Sequence, residues 1–138
     1  MNKILLGLDG SSSSFKALEE AIKLARLYGA ELHTVSVEEI PRFPETVSEI
    51  AEEKDWEDSN FNEAIKRAQE IAKAQNVNID SHILMGHEVK AIIEFIKKNR
   101  IDFLVIGFMG VSALYERVMG STCQSLVRMA PCSVLVVK

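Results

Sequence analysis

The chain has 138 residues, 47% of them hydrophobic and 26% charged, which suits one globular domain with a real core and leaves no room for a second of ordinary size. A formal net charge of -4 offers no basic face for nucleic acid, no apolar run approaches the roughly 20 residues of a membrane span, and the first residues lack the pattern of a secretory signal. A single cytoplasmic domain over 1–138 is therefore expected, with no nucleic-acid or membrane partner. Cys123 and Cys132 fit neither a disulfide framework nor a C-x-x-C pattern and read as buried small hydrophobes.

Lys3 to Leu8 is almost wholly apolar, and so short a continuous run predicts a strand covered by helices on both faces. Asp9-Gly10-Ser11 follows as its loop. Ser11 to Ser14 supplies capping hydroxyls, and Leu18, Ala21, Ile22 and Ala25 recur at helical spacing until Gly29 stops the helix. Leu32 to Val37 reads as a second strand, parallel to the first because a whole helix separates them, so Val37 should end near Asp9.

Glu38 to Ser59 carries Pro41, Pro44, Trp56 and a marked excess of acids, and Val47, Ile50 and Ala51 allow one short helix from Pro44. It reads as a solvated excursion, or as a lid or partner contact. Asn60 and Glu63 can form a capping box for a helix with Phe61, Ala64, Ile65, Ala68, Ile71 and Ala72 on one face. Val77 to Leu84 alternates as an edge strand does, Gly86 ends it, and Glu88 to Asn99 repeats the helical pattern.

The last stretch organises the rest. Phe103 to Ile106 is a fourth apolar strand that delivers Gly107 at its C-terminal end, a loop with Gly110 follows, and Gly120-Ser121-Thr122 opens an amphipathic helix whose first N–H groups suit an anion. Pro131 holds Ala130 out of helical geometry, and Ser133 to Val137 is a final apolar strand. Right-handed crossovers then give an α/β fold, a doubly wound, Rossmann-like parallel sheet of five strands with helices on both faces. Glycines also simply make turns. Three of them at this spacing, after a strand and opening a helix, favour a nucleotide. The stretch is neither a Walker A loop, since no Lys precedes Ser121, nor a dinucleotide fingerprint.

The spacing Gly107-x2-Gly110-x9-Gly120-Ser121, together with Ile4 to Ser11 and Pro131 to Val137, resembles the universal stress protein family, in its ATP-binding branch. The resemblance leaves only about Glu38 to Ser59 unmatched. It implies an adenine nucleotide alpha-hydrolase-like fold with strand order 3-2-1-4-5, which puts the switch point between strands one and four, where Asp9, Val37, Gly86, Gly107 and Gly120 can converge. It also implies ATP, with Mg or Mn held mainly by phosphate and water because no cluster of protein ligands is visible. Asp9 would contact the adenosine, with Gly10 and Ser11 beside it, while Val37 and the main chain near Gly86 border the adenine. Gly107 and Gly110 would admit the ribose and phosphates, and Gly120, Ser121 and Thr122 would donate to the phosphates.

Asp9 also reads as a turn-forming residue that caps the first helix. Arg117 either reaches the phosphates or sits in solvent. Phe108 and Met109 depart from the family's smaller or basic residues, and either narrow the phosphate channel or face a partner. His33, His82 and His87 have no metal-ligand spacing and read as strand or surface residues, with His87 alternatively near the crevice.

The expectation is a regulatory ATP-binding protein rather than an enzyme. The alternative is a nucleotide-free interaction module with an unidentified protein partner. An ATP hydrolase comes last, since only Asp9 and Glu116 are candidate bases and neither has an evident partner. Ser133 to Val137, apolar and free of proline, offers a sheet edge for a homodimer, which the resemblance also implies.

Overall fold

Each short apolar run becomes a strand and each helical repeat a crossover, in a computed structural model that describes residues 1–39, 61–109 and 119–138. The elements are β1 (Lys3–Gly7), α1 (Ser12–Tyr28), β2 (Glu31–Glu38), α2 (61–73), β3 (Ile79–Met85), α3 (Glu88–Asn99), β4 (Phe103–Gly107), α4 (Ser121–Met129) and β5 (Ser133–Val137). All strand pairs are parallel, in the order β3-β2-β1-β4-β5. Chain direction across the sheet reverses between β1 and β4, so the crevice beyond Gly7 and Gly107 is the topological switch point.

The two-residue period of a strand explains why β1 must be apolar throughout. Ile4, Leu6 and Leu8 face the layer of α1 and α2, whereas Leu5 faces the layer of α3 and α4, and none of them is more than 1% exposed. Each such burial contributes about 1.5–3 kcal/mol. β4 divides in the same way, Val105 to the first layer and Leu104 and Ile106 to the second. β3, at the sheet edge, alternates half-buried with exposed residues as its sequence does.

Caps set the helix ends. Ser11 is the N-cap of α1, its hydroxyl accepting from the Ser14 N–H at 3.1 Å, and Gly29 closes the helix at φ +62. α4 stops at Ala130, which is extended (ψ 132) ahead of Pro131. The third strand starts at Ile79 rather than the expected Val77. After α2, Asn76 turns left-handed at φ 62 and the Val77 N–H bonds back to the Ala72 carbonyl at 2.9 Å, so Val77 belongs to the helix closure and buries its side chain there. Cys123 is buried as expected, but Cys132 is only half-buried because it lies in the turn that leads into β5. The expected short helix from Pro44, the acidic segment beyond Glu39, the capping residue Asn60, Gly110, Glu116 and Arg117 lie outside the described residues. Among the described residues, no helix is long and apolar enough to cross a membrane.

Candidate functional site

The crevice is built from the C-terminal ends of four strands. β1 runs beside β2 with Gly7 opposite Val35, and the Leu8 N–H donates to the Val35 carbonyl at 2.9 Å, so Asp9 emerges level with Val37. Asp9 Oδ1 accepts from the Ser11 N–H at 2.9 Å and from the Ser11 hydroxyl at 2.5 Å, while Gly10 takes φ +85 to turn the chain into α1. Asp9 thus forms the turn, but the cap of α1 is Ser11 rather than Asp9, since the Ser11 hydroxyl accepts the Ser14 N–H while Asp9 only holds Ser11 in place. Both bonds use Oδ1, which leaves Oδ2 for another partner.

Val37 is half-buried on the layer of α3 and α4. Gly86, at φ +133, leaves β3 after its N–H bonds the Glu38 carbonyl at 2.9 Å. Gly107 serves a packing need: a Cβ there would fall onto Ser13 Oγ and lie 2.8 Å from the Ser13 carbonyl carbon and oxygen. The first turn of α1 therefore sits directly on the end of β4. Met109 extends that contact, its N–H donating to Ser13 Oγ at 3.1 Å.

Phe108 ties the start of the glycine loop to its end. Its N–H donates to the Val137 carbonyl at 2.9 Å, and its carbonyl accepts the Gly120 N–H at 3.0 Å, so that N–H is engaged within the protein rather than free for an anion. The Phe108 ring lies 5.5 Å beneath Lys138 Nζ, on the side of β5. Gly120 is the N-cap of α4 at φ -61, ψ 150, a conformation open to any residue, and among the described residues no side chain caps the helix. What glycine contributes there is the absence of a side chain before the amides of Ser121, Thr122 and Cys123.

The structure adds residues that spacing did not reveal. The Glu88 N–H at the start of α3 donates to Glu39 Oε1 at 3.2 Å, and Thr122 Oγ1 lies 3.4 Å from Glu88 Oε2. Burial first, and then the charges of Asp9 and Glu39, push the Glu88 carboxyl up to about 7, with the Thr122 hydroxyl partly opposing them. Asp9, Glu39, Glu88 and Thr122 thus gather at the mouth of α4. In sequence Glu88 was only the first residue of an amphipathic helix; its facing α4 follows from the third dimension alone. On the opposite face of β2, Thr34, Ser36 and Glu38 are buried, the Ser36 hydroxyl bonding the Leu8 carbonyl at 2.6 Å.

His33 and His82 meet across the parallel β2–β3 pair, Nδ1 to Nε2 at 3.2 Å with rings stacked, and His82 packs on Phe95. Burial first, and then His33, lower the His82 pKa, with Asp80 opposing. Burial raises both cysteine thiols, which fits packing rather than reactivity. Among the described residues, no group of three or more His, Cys, Asp and Glu is arranged to hold a metal ion.

Sequence comparison settles the family. The model of the "Universal stress protein family" matches residues 1–138. The chain belongs to the universal stress protein family. A universal stress protein of Methanocaldococcus jannaschii is 31% identical over 144 residues, covering 99% of this chain and 81% of its own. Universal stress protein UspA from Lactobacillus plantarum superposes with a TM-score of 0.87 at 24% identity, over 99% of this chain and 97% of that one. A universal stress protein in complex with cAMP (TM-score 0.77, 24% identity, 99% and 97% covered) and one from Archaeoglobus fulgidus in complex with dAMP (0.74, 18%, 100% and 98%) share the fold.

Proposed function

We propose that this universal stress protein binds ATP in the switch-point crevice and acts in the cytoplasm as a regulator through its bound state. The observation that carries the reading is the start of α4, which no side chain caps among the described residues: Gly120 presents no side chain before the Ser121, Thr122 and Cys123 amides. Structural neighbours in complex with cAMP and dAMP support an adenine nucleotide. In this reading Asp9 Oδ2 would take a ribose hydroxyl while Oδ1 holds the turn, and Val37, half-buried beside it, would border the base. A divalent ion, Mg or Mn, would ride on the phosphates and water and offset the charges of Asp9 and Glu39. Regulation rather than catalysis fits an Asp9 whose Oδ1 bonds serve a turn.

Titration calorimetry tests the reading. ATP should bind the native protein, and Gly120→Val should weaken it by a hundredfold or more, about 3 kcal/mol, by filling the space before the α4 amides. Equal affinity for both proteins would put the phosphates elsewhere. The acidic lining favours a second reading, a nucleotide-free interaction module, which gains if neither protein binds.

We further propose a homodimer through β5. Among the described residues its outer edge faces no other strand, and Val134 to Val137 are half-buried there. The native protein should sediment as two chains at micromolar concentration and Val136→Pro as one, because proline removes a ladder donor. A folded, dimeric Val136→Pro would contradict the edge contact.

A further inference from the structure

We infer that Glu88 belongs to the ligand site, and that its carboxyl takes up a proton when a phosphate docks at the start of α4. The inference rests on the nucleotide reading above and adds a residue and a proton to it.

The geometry is as follows. Glu88 opens α3 and its side chain reaches across to α4, where Oε2 meets Thr122 Oγ1 at 3.4 Å. Thr122 is the second residue of α4, so an anion bound by the first amides of that helix would lie beside the Glu88 carboxyl. The groups facing Glu88 from the neighbouring elements are Asp9, after β1, and Glu39, after β2, whose Oε1 accepts the Glu88 N–H at 3.2 Å. On its own element, His87 precedes it as the N-cap and makes no side-chain cap bond. Among the described residues, no Lys, Arg or His forms an ion pair with it.

A half-buried carboxyl between two carboxylates is already near the edge of ionisation, titrating at about 7. Bringing a phosphate into hydrogen-bond range of it adds a like charge, which favours the neutral form. The neutral form also gains a function, since a carboxylic acid donates one O–H while the carboxylate only accepts. Solvent supplies the proton, Glu88 binds it, and the O–H is then directed at a phosphate oxygen. By linkage, phosphate affinity is highest where Glu88 is already protonated and falls as pH rises past its titration point.

Calorimetry of the full chain decides this, with ATP and adenosine as ligands at pH 6 and pH 8 in excess magnesium, repeated in two buffers of different ionisation enthalpy. For the native protein, ATP should bind about tenfold more tightly at pH 6 than at pH 8, and at pH 8 should draw up nearly one proton per ATP. Adenosine, which has no phosphate, should bind equally at both values without proton uptake. Glu88→Gln, checked for native fold by circular dichroism, should bind ATP with a flat pH response and no uptake. The proton count on the native protein needs no variant, so a poorly folding Glu88→Gln leaves the test intact. ATP binding with unchanged affinity and no proton uptake would overturn the role of Glu88 while leaving the nucleotide reading standing. Equal pH dependence for adenosine would remove Glu88 from the phosphate end. No binding of either ligand at either pH would sink both proposals together.

Discussion

Replacing Gly107 by alanine should destabilise the protein by about 3 kcal/mol, or roughly 10 °C in melting temperature for a chain of this length. The new Cβ would overlap Ser13 Oγ and lie 2.8 Å from the Ser13 carbonyl carbon and oxygen. A hydroxyl can rotate away; a carbonyl in the first turn of α1 cannot, because α1 is anchored through Ala17, Leu18, Ala21 and Ile22, all fully buried. Relief would require lifting the helix from the sheet. Adding Ser13→Ala should therefore restore only a small part of the loss. An alanine variant that melts with the native protein would show that α1 and β4 are less closely apposed than this.

The second large effect is on the pH dependence of stability. Glu88 titrates at about 7 in the fold against 4.5 as a free group, so its folded pKa is raised. The sign follows from the proton count: the folded state holds the proton more tightly, so its advantage is full below about 4.5 and is lost as pH rises through 7. Glu88→Gln keeps the shape and removes the charge. At pH 8 it should be more stable than the native protein by up to about 3 kcal/mol. The difference should shrink toward zero near pH 4.5, measured by urea unfolding at each pH. A variant no more stable at pH 8 would mean that the carboxylate sits comfortably ionised in the crevice.

The fold was largely legible because its signals are local. Continuous apolar runs marked the buried strands, Ser11 and Gly29 marked the ends of α1, and Pro131 marked the end of α4. The start of β3 moved from Val77 to Ile79 because the closure of α2 over Asn76 uses a residue whose apolar character suits a strand equally well. The positions of the motif residues were legible too: Asp9 follows the end of β1, and Gly120 to Thr122 start α4.

It was not legible where neighbours are distant in sequence. Glu39, Glu88 and Thr122 come from three elements, and no spacing announces that they meet. His33 and His82 pair for a similar reason: His33 stands opposite Asp80 and Val35 opposite His82 in the β2–β3 register, which makes the two imidazoles diagonal neighbours. Gly107 gives the converse case. It falls at the C-terminal end of β4 as expected, and its packing against Ser13 is a structural requirement that the motif does not state.

The central claim is that ATP sits at the switch point, and amide chemical-shift mapping of the isotopically labelled protein tests it most directly. On addition of ATP, the amides of Asp9, Gly10, Ser11, Val37, Gly86, Ser121 and Thr122 should move together, while those at the far end of the sheet, such as Lys3, Glu31 and Tyr28, stay in place. No shifts at millimolar ATP, or shifts gathered at that far end instead, would contradict the account.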